Sequence, residues 1–421
     1  MTPPPSTPLR HPAAPGAREL RPESPPDQAL EGYLQAMVTA ARAVVGMDLT
    51  FLARLEGPLL HLTHVDAGPG APAVRAGMVL LREDSYCERL LDGTVPGSVA
   101  DVHREPRLAL LPITRELGLR AYCGVPVHLP DGQLYGTLCA VNSTEPQRVT
   151  DPQLDSLRLL GDLLGLRLAE HQLSTERHHA RADAVCRFLS GAGRSVVVQP
   201  IVELGSAKVV GVEALCRFHA ATGRTLRSDE VFLEAHELQL GIELEQTALA
   251  SALELVAALA DEVYLSVNLS PRAVLSPCTL ELLGDAPLSR LVLEVTEHEA
   301  VADYPQLLAA LAPLRTRGMR LAVDDAGAGF ASLQHIAQLL PDIVRLDVAF
   351  VRELDRDPVR QAAAQSIIGL ADAIGATVVA EGIETAAERD AVAALGITLG
   401  QGNLLGRPLA PSRLAIVDPV A

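Results

Sequence analysis

From about residue 195 to the end, short apolar segments alternate with helical segments, and this alternation limits the fold more than any other feature of the sequence. The apolar segments include VVGVEALCRF, YLSVNLSP, LVLEVTEH and RLAVDDAG. They have the length and the β-branched content of buried strands, and several of the helical segments end at a glycine. Strands that are apolar throughout and alternate with helices predict a parallel sheet covered on both faces. About eight such units predict closure into a TIM-like α/β barrel.

An open doubly wound sheet is the alternative arrangement of these units. Nucleotide-binding sheets of that kind carry a glycine-rich phosphate turn after the first strand. The sequence has no such turn after the segment SVVVQPIVEL. The closed barrel is therefore the prediction.

A polar side chain lies at or near the end of each predicted strand. These residues are Glu213, Asn268, Glu294, Asp324, Asp325, Arg345, Asp347, Glu381 and Gln401. In a barrel of parallel strands such ends meet at one mouth, where barrel enzymes keep their catalytic residues. One acid at a strand end is more often a helix cap or a surface residue, but several acids from separate strands favour a shared site. Crowded carboxylates repel one another unless cations neutralise them, and oxygen clusters of this kind suit Mg²⁺ or Mn²⁺.

The same strand ends carry an ordered set of motifs. They are Gln199-Pro200-Ile201, Glu213-Ala214-Leu215-Cys216-Arg217, Val267-Asn268-Leu269-Ser270, Glu294-Val295-Thr296-Glu297, Asp324-Asp325-Ala326-Gly327, Ala380-Glu381-Gly382 and Gln401-Gly402. In this order, over more than 200 residues, the set resembles the EAL family of cyclic-di-GMP phosphodiesterases. The resemblance implies a two-metal site, with Mg²⁺ or Mn²⁺, that hydrolyses cyclic di-GMP to linear pGpG. Two divalent ions lower the pKa of bound water and hold an in-line displacement, which agrees with such a reaction.

The resemblance also distributes roles among these side chains. The implied metal ligands are Glu213, Asn268, Glu294, Asp324, Asp325 and Glu381. The implied catalytic group is Glu381, Gln401, Arg345 and Asp325, in which Gln401 orients the attacking water. Gln199, Arg217 and Asp347 are implied substrate contacts, and Glu297 is implied to anchor the loop that follows its strand. Arginine suits a phosphate because its planar fork matches the phosphate oxygens.

Two features depart from the family pattern. Arg345 stands where the family has a lysine that is thought to contact the attacking water, and arginine is longer, planar and unable to lose its proton. The loop at residues 326–331 lacks the threonine and serine hydroxyls of the pattern. A second hypothesis therefore stays open, a receptor that binds cyclic di-GMP with weak turnover or none. A structural or docking module is a third, although such a module has little reason to gather so many acids.

The N-terminal region of the chain has a different composition. Residues 1–28 are rich in proline and predict a disordered tail. Residues 29–173 have the pattern of a helix, antiparallel hairpins and a helix, which is an α+β layout. The segments LGLRAYCGVPV, DG and YGTLCAV resemble a GAF domain, a sensory module that binds small ligands or dimerises. Residues 174–194 are predicted to form a linker helix, and residues 195–421 the EAL domain.

Cysteines and charge narrow the classes of partner. The six cysteines form no CxxC pair, so buried thiols are predicted rather than zinc ligands or disulfides. Chromophore attachment or redox sensing is the alternative for Cys87 and Cys139, but no bilin-attachment Cys-His pair follows either. A net charge of −17 without a basic block argues against duplex DNA or an anionic membrane as partner.

Localisation and assembly are expectations from the same sequence. No apolar run reaches the roughly 18–20 residues of a membrane span, and the N-terminus lacks a signal-peptide pattern. A cytoplasmic location is therefore expected. The sequence does not identify the ligand of the GAF domain, and a homodimer is expected by analogy with other EAL domains.

Overall fold

The computed structural model of the chain describes residues 28–296, 301–326 and 330–416, with the backbone alone at 330–332 and 414–416. These residues form two compact units, one ending at Ala180 and the other beginning at Arg181. Glu297 and the proline-rich tail, apart from its last residue, lie outside the described residues. The domain boundaries drawn from the sequence stay predictions.

The first unit contains a sheet in which all neighbouring strands are antiparallel, in the order β3-β2-β1-β6-β5-β4. Its strands are β1 (Leu49–Glu56), β2 (Leu59–Ala67), β3 (Val79–Leu81), β4 (Ser98–Val99), β5 (Ala121–His128) and β6 (Leu134–Asn142). The helices that begin within it are α1 (Gln28–Val45), α2 (Tyr86–Leu91), α3 (Pro106–Ala109), α4 (Pro112–Glu116) and α5 (Asp151–Leu189). The predicted α+β layout of helices around antiparallel hairpins is confirmed.

Both faces of this sheet are covered by apolar side chains, because successive residues of a strand point to opposite faces. On β5, Cys123 and Val125 pack with Val38 of α1 and Leu157 of α5. Tyr122 packs on the other face with residues of α2 and α3. The sheet thus separates two apolar layers. None of the described helices is long and apolar enough to cross a lipid bilayer.

The second unit is a closed barrel. Its strands are β7 (Arg194–Glu203), β8 (Val209–His219), β9 (Thr225–Leu226), β10 (Tyr264–Leu269), β11 (Leu291–Val295), β12 (Arg320–Ala326), β13 (Ile343–Leu346), β14 (Thr377–Ala380) and β15 (Leu399–Gly400). The order around the barrel is β8-β10-β11-β12-β13-β14-β15-β7, and β7 pairs with β8 to close it. β9 pairs with β8 outside this ring. The predicted TIM-like barrel is therefore confirmed.

Helices alternate with the strands of the barrel from β9 onward. They are α6 (Ser228–Glu237), α7 (Gly241–Leu253), α8 (Pro271–Val274), α9 (Pro277–Gly284), α10 (Tyr304–Thr316), α11 (Phe330–Leu339), α12 (Val348–Val351), α13 (Pro358–Ile374) and α14 (Ala386–Ala394). A large apolar cluster includes Leu265, Leu293 and Leu321 of the strands together with Leu307 and Leu311 of α10. This cluster covers the outer face of the strands.

The first strand of the barrel corrects the prediction that all strands are parallel. β7 is antiparallel to both of its neighbours, β8 and β15, whereas the pairs from β8 and β10 through to β15 are parallel. The connection from β7 to β8 spans residues 204–208. Parallel neighbours need a crossover of a dozen or more residues, so a connection this short permits only a hairpin. The repeat of strand and helix begins one strand later than the sequence indicated.

Two helix starts fix loops that follow barrel strands. After β14, α14 begins with a capping box in which Glu388 accepts hydrogen bonds from the backbone N–H groups of Glu384 and Thr385. After β10, the Ser270 hydroxyl caps α8 by accepting from the N–H of Ala273 at 3.2 Å. Each cap satisfies backbone donors that the helix itself leaves unpaired.

Candidate active site

Alternation along each strand directs a set of polar side chains into the barrel. The apolar layer inside the barrel comprises Ile201, Tyr264, Val292, Ala322, Ile343 and Val379. Residues two positions apart in a strand share a face. Glu294, Asp324, Arg345 and Glu381 each come two residues after one of these apolar residues, so they point inward at the carboxyl ends of their strands. On antiparallel β7 the order is reversed, and Gln199 precedes Ile201.

A glycine makes room for the largest side chain of the apolar layer. A Cβ at Gly211 would lie 2.3 Å from the ring of Tyr264. Burial raises the pKa of Tyr264 to about 12, and the guanidinium of Arg320 lies 4.3 Å from the ring centroid. Glu213 comes two residues after this glycine and therefore shares its inward direction. Gly211 thus lets the phenol ring fill the barrel below the polar cluster.

Arg345 lies at the centre of the polar cluster. Its Nη2 donates to Glu213 Oε2 at 2.9 Å and to Gln401 Oε1 at 2.8 Å, and its Nη1 donates to Glu294. Its Nε contacts Glu381 and lies 3.4 Å from Asp324 Oδ1. The side chain is 4% exposed. One buried guanidinium therefore contacts four carboxylates, three of them on different strands and the fourth, Glu381, directly after β14.

Amide side chains complete the inner side of the cluster. Asn268 Nδ2 donates to Glu213 Oε1 at 2.8 Å. Gln401 Nε2 donates to Glu213 Oε2 at 2.8 Å and to Gln199 Oε1 at 3.2 Å. Gln199 in turn donates to the carbonyl of Gly406 at 3.1 Å. These bonds hold Glu213 and Gln401 in fixed orientations.

Burial and the single guanidinium push the pKa values of the carboxyls in opposite directions. Burial raises the pKa of Glu294 to about 8 and holds that of Glu381 well above its ordinary value, against the attraction of Arg345. Burial also opposes ionisation of Glu213, but Arg345 and the hydrogen bonds from the two amides outweigh it and lower the pKa. Burial by itself would lower the pKa of Arg345, yet its carboxylate neighbours hold it well above the ordinary value. Four carboxyls thus share one permanent positive charge, and the excess of negative charge disfavours full ionisation.

The outer side of the cluster fits a divalent cation. Asp324, Asp325 and Glu381 each offer a carboxylate oxygen within 4.8 Å of the others. Asp325 has φ 51, in the left-handed region that few non-glycine residues adopt, and the register of β12 shifts between Val323 and Ala326. This irregularity turns two consecutive aspartates toward one site. Oxygen donors and excess negative charge are what Mg²⁺ and Mn²⁺ require.

The inner carboxylates fit a second metal ion less well. Glu213 and Glu294 are metal ligands by resemblance, but both accept hydrogen bonds from Arg345. Asn268 Oδ1 is buried and accepts no hydrogen bond from the described residues. A buried oxygen without a donor is available to a cation. On the inner side, the amide of Asn268 is therefore a ligand that Arg345 leaves free.

Three further site residues named from the sequence have other hydrogen-bond partners or fall outside the described residues. Asp347 caps α12 by accepting from the N–H of Ala349 at 2.6 Å. Arg217, on β8, donates to the carbonyl of Cys216 at 2.9 Å. Glu297 falls outside the described residues. The roles assigned to these residues by resemblance stay predictions.

Two side chains that support the cluster were missed by sequence reasoning. Ser266 donates its hydroxyl to Glu294 Oε1. The sequence could have identified Ser266, because it lies two residues before Asn268 on the same strand and so shares the inward face. Buried Glu245 of α7 accepts from Ser270 N at 2.6 Å and fixes the end of β10. No pattern along α7 reveals that contact, because it depends on how the helix packs against the barrel.

Comparisons with known proteins agree with this architecture. The family model of the EAL domain matches residues 182–408, and that of the GAF domain matches residues 29–168. The first of these ranges covers more than half of the chain.

Curated relatives carry names that refer to cyclic di-GMP. The cyclic di-GMP phosphodiesterase PA2567 of Pseudomonas aeruginosa is 32% identical over 265 residues, which cover 59% of this chain and 45% of that protein. The cyclic di-GMP phosphodiesterase RocR of the same organism is 30% identical over 235 residues, 53% of this chain and 60% of that protein. The chain spans about half the length of the curated relatives it matches.

A solved structure gives the same correspondence. The PaMucR phosphodiesterase in its c-di-GMP complex has a TM-score of 0.51 and 26% identity to this chain. The match covers 56% of this chain and 99% of that one. Barrel topology, the positions of the strand-end acids and the family model lead to one assignment: the chain belongs to the EAL domain family and carries a GAF domain ahead of its EAL domain.

Proposed function

We propose that the EAL domain is a metal-dependent phosphodiesterase that hydrolyses cyclic di-GMP to linear pGpG. The observation that carries the proposal is the excess of inward carboxylates over cations at the barrel mouth, where Glu213, Glu294, Asp324 and Glu381 share Arg345. A phosphodiester is anionic and binds such a mouth only when cations neutralise it. Names of relatives similar to the EAL domain support cyclic di-GMP as the substrate.

The residues that would hold Mg²⁺ or Mn²⁺ are Asp324, Asp325, Glu381 and Asn268. Such ions, when bound, supply Lewis acidity to the phosphodiester and a lowered pKa to water. Gln401 is held between Arg345, Glu213 and Gln199, so its amide has a fixed orientation for hydrogen bonding at the mouth.

Arg217 is the proposed phosphate contact. It lies four residues beyond Glu213 on β8, so it has the same direction at the outer end of the strand. Its guanidinium matches phosphate oxygens with two parallel donors. Substitution of Arg217 by lysine keeps the positive charge but loses the two parallel donors. It therefore separates the contribution of charge to phosphate binding from that of hydrogen-bond geometry.

A receptor that binds cyclic di-GMP without turnover is the second candidate function. The observation that favours it is the ion pairing of Arg345 with carboxylates that would otherwise be metal ligands. An arginine that neutralises part of the carboxylate charge reduces the negative charge that would otherwise attract metal ions. In this case the barrel reports ligand binding to other components of the cell rather than consuming the ligand.

The GAF domain is proposed to regulate the barrel by binding a small molecule. It contains a cavity lined almost entirely by apolar side chains, among them Leu49, Phe51, Leu62 and Ile113. An apolar lining favours an apolar ligand over a nucleotide, because buried phosphates and bases need polar partners. The homodimer and the cytoplasmic location remain predictions, and light scattering of the purified chain tests the first.

One assay separates the two candidate functions. Purified full chain is incubated with cyclic di-GMP and Mn²⁺ or Mg²⁺, the nucleotides are resolved by chromatography, and binding is followed in parallel by calorimetry. Formation of pGpG that stops in EDTA and in the Asp325→Asn variant supports the enzyme. Saturable binding without pGpG supports the receptor. Neither binding nor product contradicts both.

A further inference from the structure

All the donor-bearing nitrogens of Arg345 are in contact with the acid cluster. Nη1 donates to Glu294, Nη2 donates to Glu213 and Gln401, and Nε lies against Glu381, with Asp324 further away, without donating a hydrogen bond to either. A guanidinium has five N–H donors in a rigid plane, so it can bridge carboxylates on several sides. A lysine ammonium in the same place is a compact point charge and cannot span the same set.

The two inner carboxylates have donors on both of their oxygens. Glu213 Oε1 accepts from Asn268, and its Oε2 accepts from Arg345 and Gln401. Glu294 Oε1 accepts from Ser266, and its Oε2 accepts from Arg345. A metal ion at the Oε1 oxygens would have to displace Asn268 or Ser266, and one at the Oε2 oxygens would have to displace a buried guanidinium. That displacement is unfavourable, because it leaves a permanent charge buried without its partners.

The outer acids differ from this inner pair. Glu381 Oε1 lies against Arg345 Nε and Asp324 Oδ1 lies 3.4 Å from it, but neither oxygen accepts a hydrogen bond from the described residues. Together with Asp325 they have oxygens within 4.8 Å of one another. They are also more open, with Asp324 and Glu381 exposed by 18% and 19% against 1% for Glu294. This side of the cluster is therefore the more exposed to solvent.

We propose that Arg345 is a built-in cation that takes the place of one metal ion, so that this chain binds one divalent ion, at Asp324, Asp325 and Glu381, rather than two. The proposal deepens the proposed phosphodiesterase or receptor site, because it states how that site is charged. Arg345 supplies the positive charge on the inner side, and the single ion supplies it on the outer side. Arg345 acts here as a positioning residue for the inner carboxylates.

Metal stoichiometry tests the proposal without any nucleotide. The full chain is stripped with EDTA and titrated with Mn²⁺, and free Mn²⁺ is measured by electron paramagnetic resonance. We expect one bound Mn²⁺ per chain for the wild type. We expect two bound Mn²⁺ ions per chain for Arg345→Lys and for Arg345→Met. Lysine keeps the positive charge on a shorter side chain, and methionine removes the charge. Arg389→Lys, at a partly exposed arginine paired with Asp390, is the matched control and should stay at one.

A double substitution assigns the second ion to its ligands. Glu213→Gln in the wild-type background should leave the count at one, because Glu213 there contacts Arg345. The same substitution in the Arg345→Lys background should return the count from two to one. Asp325→Asn should remove the single ion of the wild type. Circular dichroism of each variant confirms that the chain is folded before the count is taken.

Two outcomes overturn the proposal. One is a wild type that binds two Mn²⁺ ions per chain. The other is an Arg345→Lys or Arg345→Met variant that is folded and still binds one. Neither outcome depends on nucleotide chemistry. A failure to make pGpG therefore refutes the phosphodiesterase hypothesis without affecting the number of bound Mn²⁺ ions. A wrong count likewise leaves binding and hydrolysis of cyclic di-GMP to be judged by their own assay.

Discussion

We expect Glu294→Gln to remove much of the pH dependence of stability that the buried acids impose on the metal-free barrel. The Glu294 carboxyl has a pKa of about 8 in the folded chain, against an ordinary value of 4.5. Between these values the folded state holds a proton that the unfolded state has lost. The free energy of unfolding therefore falls as the pH rises through this window.

The size of the effect follows from one proton. Each pH unit changes the free energy of unfolding by about 1.4 kcal/mol for one full proton, and the carboxyl is half-ionised at its pKa, so the fall between about pH 6 and about pH 8 is roughly 2 kcal/mol. The raised pKa of Glu381 acts in the same direction and persists in the variant. The lowered pKa of Glu213 acts in the acid range and does not enter this window.

Glutamine reproduces the hydrogen bonds of the protonated acid. Its carbonyl oxygen can face Arg345, and its amide can donate to the hydroxyl of Ser266, which accepts as well as donates. Near pH 6 the variant and the wild type should therefore have similar free energies of unfolding. Near pH 9 the variant should be the more stable of the two by about 3 kcal/mol.

Urea unfolding in EDTA, followed by far-ultraviolet circular dichroism, measures this difference. The GAF domain contributes equally to both chains, so subtraction isolates the barrel. Glu254→Gln, at an exposed glutamate of the barrel, is the control and should keep the wild-type slope. A wild-type stability that stays constant or rises from about pH 6 to about pH 8 would refute the reasoning, as would an equal fall in Glu294→Gln.

Four further substitutions test the barrel. Gly382→Ala should lower the free energy of unfolding by about 2–4 kcal/mol in urea titrations, since φ at this position is +67 and a Cβ would lie 2.3 Å from Val348 Cγ2. Gly375 also has a positive φ of +74, but a Cβ there would meet no atom within 4 Å, so Gly375→Ala should cost only about 1 kcal/mol. Glu388→Ala should cost about 2–3 kcal/mol near pH 7 through lost capping bonds. Burial opposes ionisation of Glu388, but its backbone hydrogen bonds outweigh burial and lower its pKa, so this cost should shrink below about pH 4. Mn²⁺ should raise the melting temperature in scanning fluorimetry, and Asp325→Asn should abolish that rise; an unchanged rise would place the ion elsewhere.

Strand periodicity accounts for the features of the site that the sequence predicted. Glu294, Asp324 and Glu381 follow apolar strands at the carboxyl end, and a closed barrel leaves such residues one direction in which to point. The antiparallel first strand was missed because its apolar pattern is the same in either direction. Direction is decided by the short connection to β8, which is a turn and not a helix.

The contacts of Arg345 could not be predicted in the same way. Its position on β13 fixed the inward direction of its side chain, and the family resemblance identified it as an arginine at a position where the family has a lysine. Which of the surrounding acids it would contact depends on side-chain conformations and on distances between strands that are far from one another in the chain. The supporting role of Glu245 has the same origin, since α7 places it behind β10 only after the barrel has closed.

The reversed direction of β7 determines where the polypeptide joins the barrel. Arg194 pairs with Phe218, and Ser195 pairs with Arg217, so the strand begins at the rim that carries the proposed phosphate contact. The last turn of α5 is tied to the same rim, because Arg187 donates to the carbonyl of His219 at 2.9 Å. A parallel first strand would have delivered the chain to the opposite end, a full strand length from the acids. Any displacement of that helix end therefore arrives directly at the edge that carries the proposed phosphate contact.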